Sequence, residues 1–435
     1  MKSIPDILIQ YMRSFFETVE DPRASNTSFR LADVLLSAFA VFFFKYESLL
    51  EFDVETHSEL AERDPIQHNL KAIFGVKKVI SDSGLRKVLD QVDWRMIVGF
   101  FAKLFFLLQE KQCLKNYKLT SGHYVVSIDG VEHFHSTKVH CPNCIQRKQR
   151  NGEIHYSHSI VCAVLVNPHQ SQVFVLGAEP VVMQDGSTKL DSEQAASKRL
   201  IPTLPQMYPS EKFLIVADAL YSKAPAIEHM LSYGYDFLLS VKPGSSKHLF
   251  QDIESQQDSY KTAHRNIKGK KYIIRIKHNV RLDKFASDKT VNVIHCIVND
   301  GKKTTQKTWV TNLDVNHSNV QEIVEAAQSR WKIENETFNT LKNQGYNFSH
   351  NFGHGKNHLS SCLAQVMLLA FTVDQIILLE DANYKKLQKR VNNKKFIYRK
   401  RLGYFMALHY KSYAEIYKDL LSLFKLNFET NSKWE

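Results

Sequence analysis

The chain has 435 residues, 43% hydrophobic and 23% charged, which excludes a disordered polymer and exceeds what one hydrophobic core serves, so two or three domains are expected. Lys and Arg number 57 against 45 Asp and Glu, a net charge of +12, which favours a polyanionic partner, nucleic acid being the commonest. The acid-containing start MKSIPDILIQYMRSFFETVEDP lacks a secretory pattern, and neither Val34–Phe44 nor Met367–Leu379, interrupted by Asp374 and Gln375, reaches the ~20 apolar residues of a membrane span, so a soluble cytoplasmic protein is expected.

Residues 1–118 pattern as helices. Leu31, Val34, Leu35, Ala38 and Phe42 repeat at helical spacing, Ser81-Asp82-Ser83 can cap a helix over Gly84–Gln91, and Trp94–Gln109 is a further apolar helix. From residue 123 the pattern turns to strands: Tyr124–Asp129, Ser157–Val166, Gln172–Val182, Phe213–Asp218 and Tyr235–Val241. Helices over Leu190–Leu204 and Ala224–Ser232 interrupt them, giving the order β-β-β-α-β-α-β. That is an RNase H-like order, an α/β fold with a mixed sheet. Its closing helix does not follow at once. Residues 245–316 carry strand-like runs (Tyr272–Ile276, Val291–Val298, Lys307–Leu313), a β-rich insertion, before a long helix from Val320 to about Lys342. The expected division is a helical N-terminal domain over 1–118, a catalytic core over 119–244 and 317–355, the insertion over 245–316, and a helical C-terminal region over 356–435.

Asp129 and Asp218 each close an apolar strand, and these two strands are neighbours in the RNase H order. Acids at the C-terminal strand edge point to where ligands bind in open α/β sheets. Glu334 lies on the closing helix. Three converging carboxylates repel unless they share cations, and hard oxygen donors suit two Mg²⁺ ions, or Mn²⁺, acting on a phosphodiester. Glu336 is the rival third acid, about 200° around an ideal helix from Glu334.

At these residues the sequence resembles the DDE transposases of bacterial insertion sequences, in the branch whose core is interrupted by a β-strand insertion before the last acid. The matching stretches are SIDGVEHF (127–134), IVADALYSKAPAI (215–227), FLLSVKPG (237–244) and SRWKIENETFNTLKN (329–343), and the likeness extends over roughly residues 30–425. The branch signature places Tyr, Arg, the catalytic Glu and Lys along one helix. Arg330 and Glu334 match it, Ala327 stands at the Tyr position, and Lys342 comes one residue late. The resemblance implies cutting and joining at element ends, with Asp129, Asp218 and Glu334 as catalytic metal ligands. It also implies double-stranded DNA ends and target as partners, a homodimer in the synaptic complex, and end reading by the N-terminal helices. The alternatives are a metal-dependent nuclease of the same fold without strand transfer, and a decayed DNA-binding element protein.

Arg330, Lys342, Tyr221 and Lys356 are candidate DNA contacts; Arg330 is otherwise an i,i+4 partner of Glu334, Tyr221 a packed ring and the segment around Lys356 an interhelical turn. Asp191 and Glu193 are read as helix-dipole acids and not as catalytic groups. The basic run Lys385–Arg401, interleaved with Phe396 and Tyr398, is read as a solvated helix face, with phosphate tracking as the alternative. Most of the six cysteines pattern as buried hydrophobes. Cys141 and Cys144 form a CxxC knuckle that, with His155 and His158, can supply a structural Zn²⁺ site; a loop with two free thiols is the alternative.

Overall fold

Strand β1 (Tyr124–Ser136) is the spine of the molecule, buried from Tyr124 to Ile128. The computed structural model describes residues 3–57, 64–182, 192–244, 246–247, 249–251, 261–267, 269–281, 290–429 and 434. A short β2 (Ile145–Lys148) pairs with the outer end of β3 (Ile154–Asn167), and β3 pairs antiparallel with both β1 and β4 (Gln170–Val181). On the other side of β1 lie β5 (Phe213–Ala217) and β6 (Asp236–Val241), both parallel to it. The resulting order β4-β3-β1-β5-β6 is RNase H-like, as the pattern predicts. These central strands are near-continuous runs of Val, Ile, Leu and Ala because both faces of the sheet are covered.

The insertion does not form a separate sheet. Strand β10 (Thr304–Thr311) pairs antiparallel with β6, and β9 (Thr290–Asn299), β8 (Lys270–Arg281) and β7 (Lys261–Ile267) follow in order, so the core sheet runs on through them. Strands β2 and β7 carry few apolar residues, and the sequence pattern does not reveal them.

Among the described residues six α-helices precede the sheet: α1 (Ile4–Phe16), α2 (Leu31–Phe44), α3 (Leu49–Thr56), α4 (Pro65–Asn69), α5 (Asp82–Leu89) and α6 (Arg95–Glu110). Within the core, α7 (Glu193–Met207), capped by Ser192, packs on β3 and β4, and α8 (Ala224–Ser232) lies beside β6. Leu190 and Asp191, expected at the start of α7, lie outside the described residues. The expected closing helix is a composite: α9 (Val320–Gln328), a 3₁₀ turn over Ser329–Trp331, a π turn over Ile333–Phe338 and α10 (Asn339–Asn343). Among the described residues four more α-helices follow: α11 (Leu359–Glu380), α12 (Ala382–Val391), α13 (Lys394–Ala407) and α14 (Tyr413–Leu423).

Helix α11 joins the two ends of the chain, packing between α2, every residue of which is buried, and β4. It is the one described helix long and apolar enough to cross a membrane, yet 94% of its apolar window is buried inside the fold. The acid that interrupts it, Asp374, is buried with its charge met: Lys45 Nζ lies 2.6 Å and Arg401 Nη1 3.3 Å from its carboxylate, and the Tyr346 hydroxyl donates to it at 2.6 Å. An isolated buried charge is expensive, so this cluster fixes how the N- and C-terminal helices meet.

Candidate active site

Asp129 sits in mid-strand: β1 does not end there but continues seven residues further, paired with β3 (Asp129 opposite Cys162). What ends is the parallel pairing with β5, at Ser127 and Val216. Beyond that point β1 has no partner on the β5 side among the described residues, and Asp218 follows β5 at the same level. Asp218 makes an Asx turn, its Oδ1 accepting from Leu220 N at 2.8 Å.

The composite helical run lies against the Ser127 and Asp129 side of β1. The Ser127 hydroxyl donates to Arg330 O at 3.2 Å. Ile333 and Thr337 are wholly buried, and Lys332, 7% exposed, donates to the carbonyls of Asn167 at 2.6 Å and Pro168 at 3.3 Å in the β3–β4 turn. These anchors hold Arg330 over the acids. Its guanidinium is 3.3 Å from Asp129 Oδ2 and 2.5 Å from Glu334 Oε1, bridging the two. Glu334 falls on the π turn, a distortion frequent at functional sites. The uniform 3.6-residue geometry used to separate it from Glu336 therefore does not hold across 333–338.

A fourth carboxylate joins them, one that the sequence reading assigned only to a helix dipole. Glu193, in the first turn of α7, accepts from the Tyr221 hydroxyl at 3.0 Å and is hydrogen-bonded by the Gly130 backbone. A Cβ on Gly130 would stand 2.6 Å from Glu193 Cδ, so a larger residue there would displace the Glu193 carboxyl from this position. An Asp-Gly pair opposite an acid in the first turn of the next helix is the sequence signal that could have found it.

The electrostatics reflect the crowding. Burial lifts the Asp129 carboxyl to a pKa of about 7; Arg330 opposes this, while Glu193, Glu334 and Asp218 push it further up. Glu193 is also raised, by burial and by Asp218, against the lowering effect of Tyr221. Acids from the end of β5, α7 and the π turn thus lie within electrostatic reach of Asp129 on β1, with Arg330 between Asp129 and Glu334. A donor set of oxygens with excess negative charge fits hard divalent cations.

The DNA-contact candidates divide. Lys342 and Lys356 are exposed, and Arg330 is partly so. Tyr221 corrects the expectation: it is 1% exposed, its ring is packed in the core and its hydroxyl serves Glu193, so it presents no face to a base. In the basic run Lys385, Lys389, Arg390, Lys395, Arg399 and Lys400 are exposed, but Arg401 is buried on Asp374.

The zinc candidates need one exchange. Cys141, Cys144 and His158 come together, but His155 pairs instead with Glu153 at 3.3 Å. The fourth member is His354, from the loop before α11. Adjacent strand residues point to opposite faces, so His155 and His158, three apart on β3, do not share one. Nothing local in the sequence links residue 354 to the knuckle.

A comparison with known families matches residues 133–372, more than half of the chain, to the transposase DDE domain. Asp218, Glu334 and Glu193 fall inside the match, and Asp129 lies four residues before it. No curated protein matches the chain. With an RNase H-like sheet, carboxylates gathered at its edge and this match, the chain belongs to the family of transposases built on a DDE domain.

Proposed function

We propose that this transposase cuts and joins DNA strands at the ends of its own mobile element, with Asp129, Asp218 and Glu334 as the catalytic metal ligands. The observation that carries the proposal is geometric: Asp129 and Asp218 stand level where the pairing of β1 and β5 ends, and Arg330 bridges Asp129 to Glu334, while burial and the neighbouring acids raise the Asp129 carboxyl against that arginine. A fold retains such repulsion where cations relieve it. Two Mg²⁺ ions, or Mn²⁺, bound there supply activation of the attacking oxygen and stabilisation of the leaving one.

The chain's own residues do the rest. The register of β1 and β5 supports Asp129 and Asp218 as neighbours, and Arg330 links Asp129 to Glu334, carried by a π turn whose Ile333 and Thr337 are buried. Glu193, oriented by Tyr221 and Gly130, is a positioning acid that shapes the charge around Asp129. Arg330, which bridges Asp129 and Glu334, is the group set to hold a DNA phosphate at the site, and exposed Lys342 and Lys356 add phosphate contacts further out. The N-terminal helices would read the end sequence. Two ends require two such sites, so the working form is a homodimer on double-stranded chromosomal or plasmid DNA.

The test uses a plasmid carrying the element with its flanks, purified protein and Mg²⁺. Nicking at the ends and joining of the freed 3′-OH to target DNA are expected, and Asp129→Asn, Asp218→Asn and Glu334→Gln should each abolish both. Wild-type cutting by any of the three removes that residue from the site; cutting without joining selects a nuclease. Independently of activity, Mn²⁺ should raise the melting temperature of the wild type by mass action and that of Asp129→Asn much less.

A further inference from the structure

Ligand-type atoms crowd together a second time, away from the carboxylates. Cys141 Sγ and Cys144 Sγ are 3.7 Å apart. His158 Nε2 lies 3.3 Å from each sulfur and 3.2 Å from His354 Nδ1, which in turn is 3.7 Å from Cys144 Sγ. All four ligand atoms lie within 4.8 Å of one another. The three from the knuckle and β3 belong to buried residues, and His354 is half-buried.

Hydrogen bonding does not account for this packing. His158 Nε2 has three close polar neighbours, and a ring nitrogen offers a single in-plane proton or lone pair. Nor is it a disulfide: both cysteines are free thiols. A central ion does account for it. Tetrahedral zinc with bonds of ~2.3 Å to sulfur and ~2.0 Å to nitrogen sets its ligands about 3.8 Å apart for S–S, about 3.5 Å for S–N and about 3.3 Å for N–N. Five of the six edges, at 3.7, 3.3, 3.3, 3.7 and 3.2 Å, follow that pattern, and the sixth, from Cys141 to His354, lies within 4.8 Å.

We infer that Cys141, Cys144, His158 and His354 bind one structural zinc ion as a closed four-coordinate site. Both cysteines bind as thiolates, their protons passing to solvent, and with no open position the ion takes no part in hydrolysis. Its place in the fold gives it a task. Three ligands come from the β1–β3 extension beyond Asp129, and the fourth from the loop that follows the Glu334 helical run. The ion therefore clasps the outer end of the strand carrying one candidate acid to the segment leading away from another. Asn143 adds a tie beside it, its Nδ2 donating to Asn357 O at 2.6 Å.

The test is metal content, which needs no DNA and no activity. The full chain, expressed in zinc-supplemented medium and purified without chelator, should carry about one zinc by mass spectrometry. A mercurial should release that zinc in step with the blocking of two thiols. Cobalt substitution should give the visible absorption of a tetrahedral cobalt–thiolate centre. Cys144→Ser and His354→Ala should lose most of the zinc; His155→Ala, Cys162→Ser and Asp129→Asn should keep it. Should a ligand variant not fold, mercurial release from the wild type still decides the matter. Wild type free of zinc, zinc retained in His354→Ala, or release uncoupled from the thiols would overturn the assignment. Because Asp129→Asn leaves the zinc in place, failure of the carboxylate site and failure of this one are told apart.

Discussion

Asp90, just past the end of α5, caps a helix that is not its own. Its carboxylate accepts from the backbone N–H groups of Lys356 at 3.0 Å and Asn357 at 2.9 Å in the segment leading into α11, and from the N-cap His358 and the first helical residue Leu359, each at 3.1 Å. Burial, which would raise its pKa, is outweighed by these four bonds, so the carboxyl lies below its usual 3.8. In Asp90→Ala the exposed donors at 356 and 357 rehydrate; that at 358 keeps a 3.4 Å bond to the Asp90 carbonyl, and that at 359, partly buried, is left without an acceptor. The one orphaned donor costs about 1–1.5 kcal/mol, the lower end because the site is partly wet, and with the weakened bonds of the other three the expected loss is about 1.5–2.5 kcal/mol. Asp90→Asn keeps an acceptor and loses only the charge at the helix terminus, about 1 kcal/mol. The sign with pH follows from the lowered pKa. The contribution of the ionised cap is complete above about pH 4 and is lost as pH falls through the folded-state value. Urea unfolding of wild type and both variants at pH 7 and pH 3 checks this: the gap between wild type and Asp90→Asn should be present at pH 7 and shrink at pH 3. Equal stability of Asp90→Ala and wild type at pH 7, or a gap that widens in acid, would refute the reasoning.

Three further outcomes are expected. Gly130→Ala drives a methyl into Glu193, and DNA cleavage should fall about 10–100-fold with little change in melting temperature; a cleavage rate equal to wild type would deny Glu193 its positioning role. Asp374→Ala strands the Lys45 and Arg401 charges in the core and should cost about 3–5 kcal/mol in urea unfolding. The milder Asp374→Asn shows the same direction if the alanine variant does not fold. Lys332→Met removes the cation that holds the Arg330–Glu334 segment to the β3–β4 turn, leaves buried carbonyls unmet, and should lower both stability, by about 2 kcal/mol, and cleavage. A stability loss with unchanged cleavage would separate that anchor from the site.

Much of the core was legible in the sequence because its strands are buried on both faces and its helices on one. Phe213–Ala217 and Ala224–Ser232 stand where the pattern put them. Strands with little apolar content, β2 and β7, were not, because their pairing is backbone to backbone and leaves no periodic trace. The carboxylate positions were legible from strand order, but the depth of Asp129 in β1 was not, since an apolar run stops where burial changes and not where pairing stops. Glu193 was visible only as a helix-start acid, because its partners at 130 and 221 are brought to it by the fold. His354 likewise lies 196 positions from His158, a meeting that tertiary packing makes.

The junction of β6 with β10 has a mechanical consequence. An insertion hung on loops could swing; this one is hydrogen-bonded edge to edge, so motion of β7 relative to Asp218 must bend a sheet. From β5 to β7 the path crosses five strand spacings, about 24 Å at ~4.8 Å each. At roughly 20° of twist per strand, the far end is turned by about 100° from the edge that carries the candidate acids. A helical substrate lying across the carboxylates would meet a curved rigid wall whose pitch is set by backbone geometry, with Lys261, Lys270 and Lys271 exposed on its outermost strands.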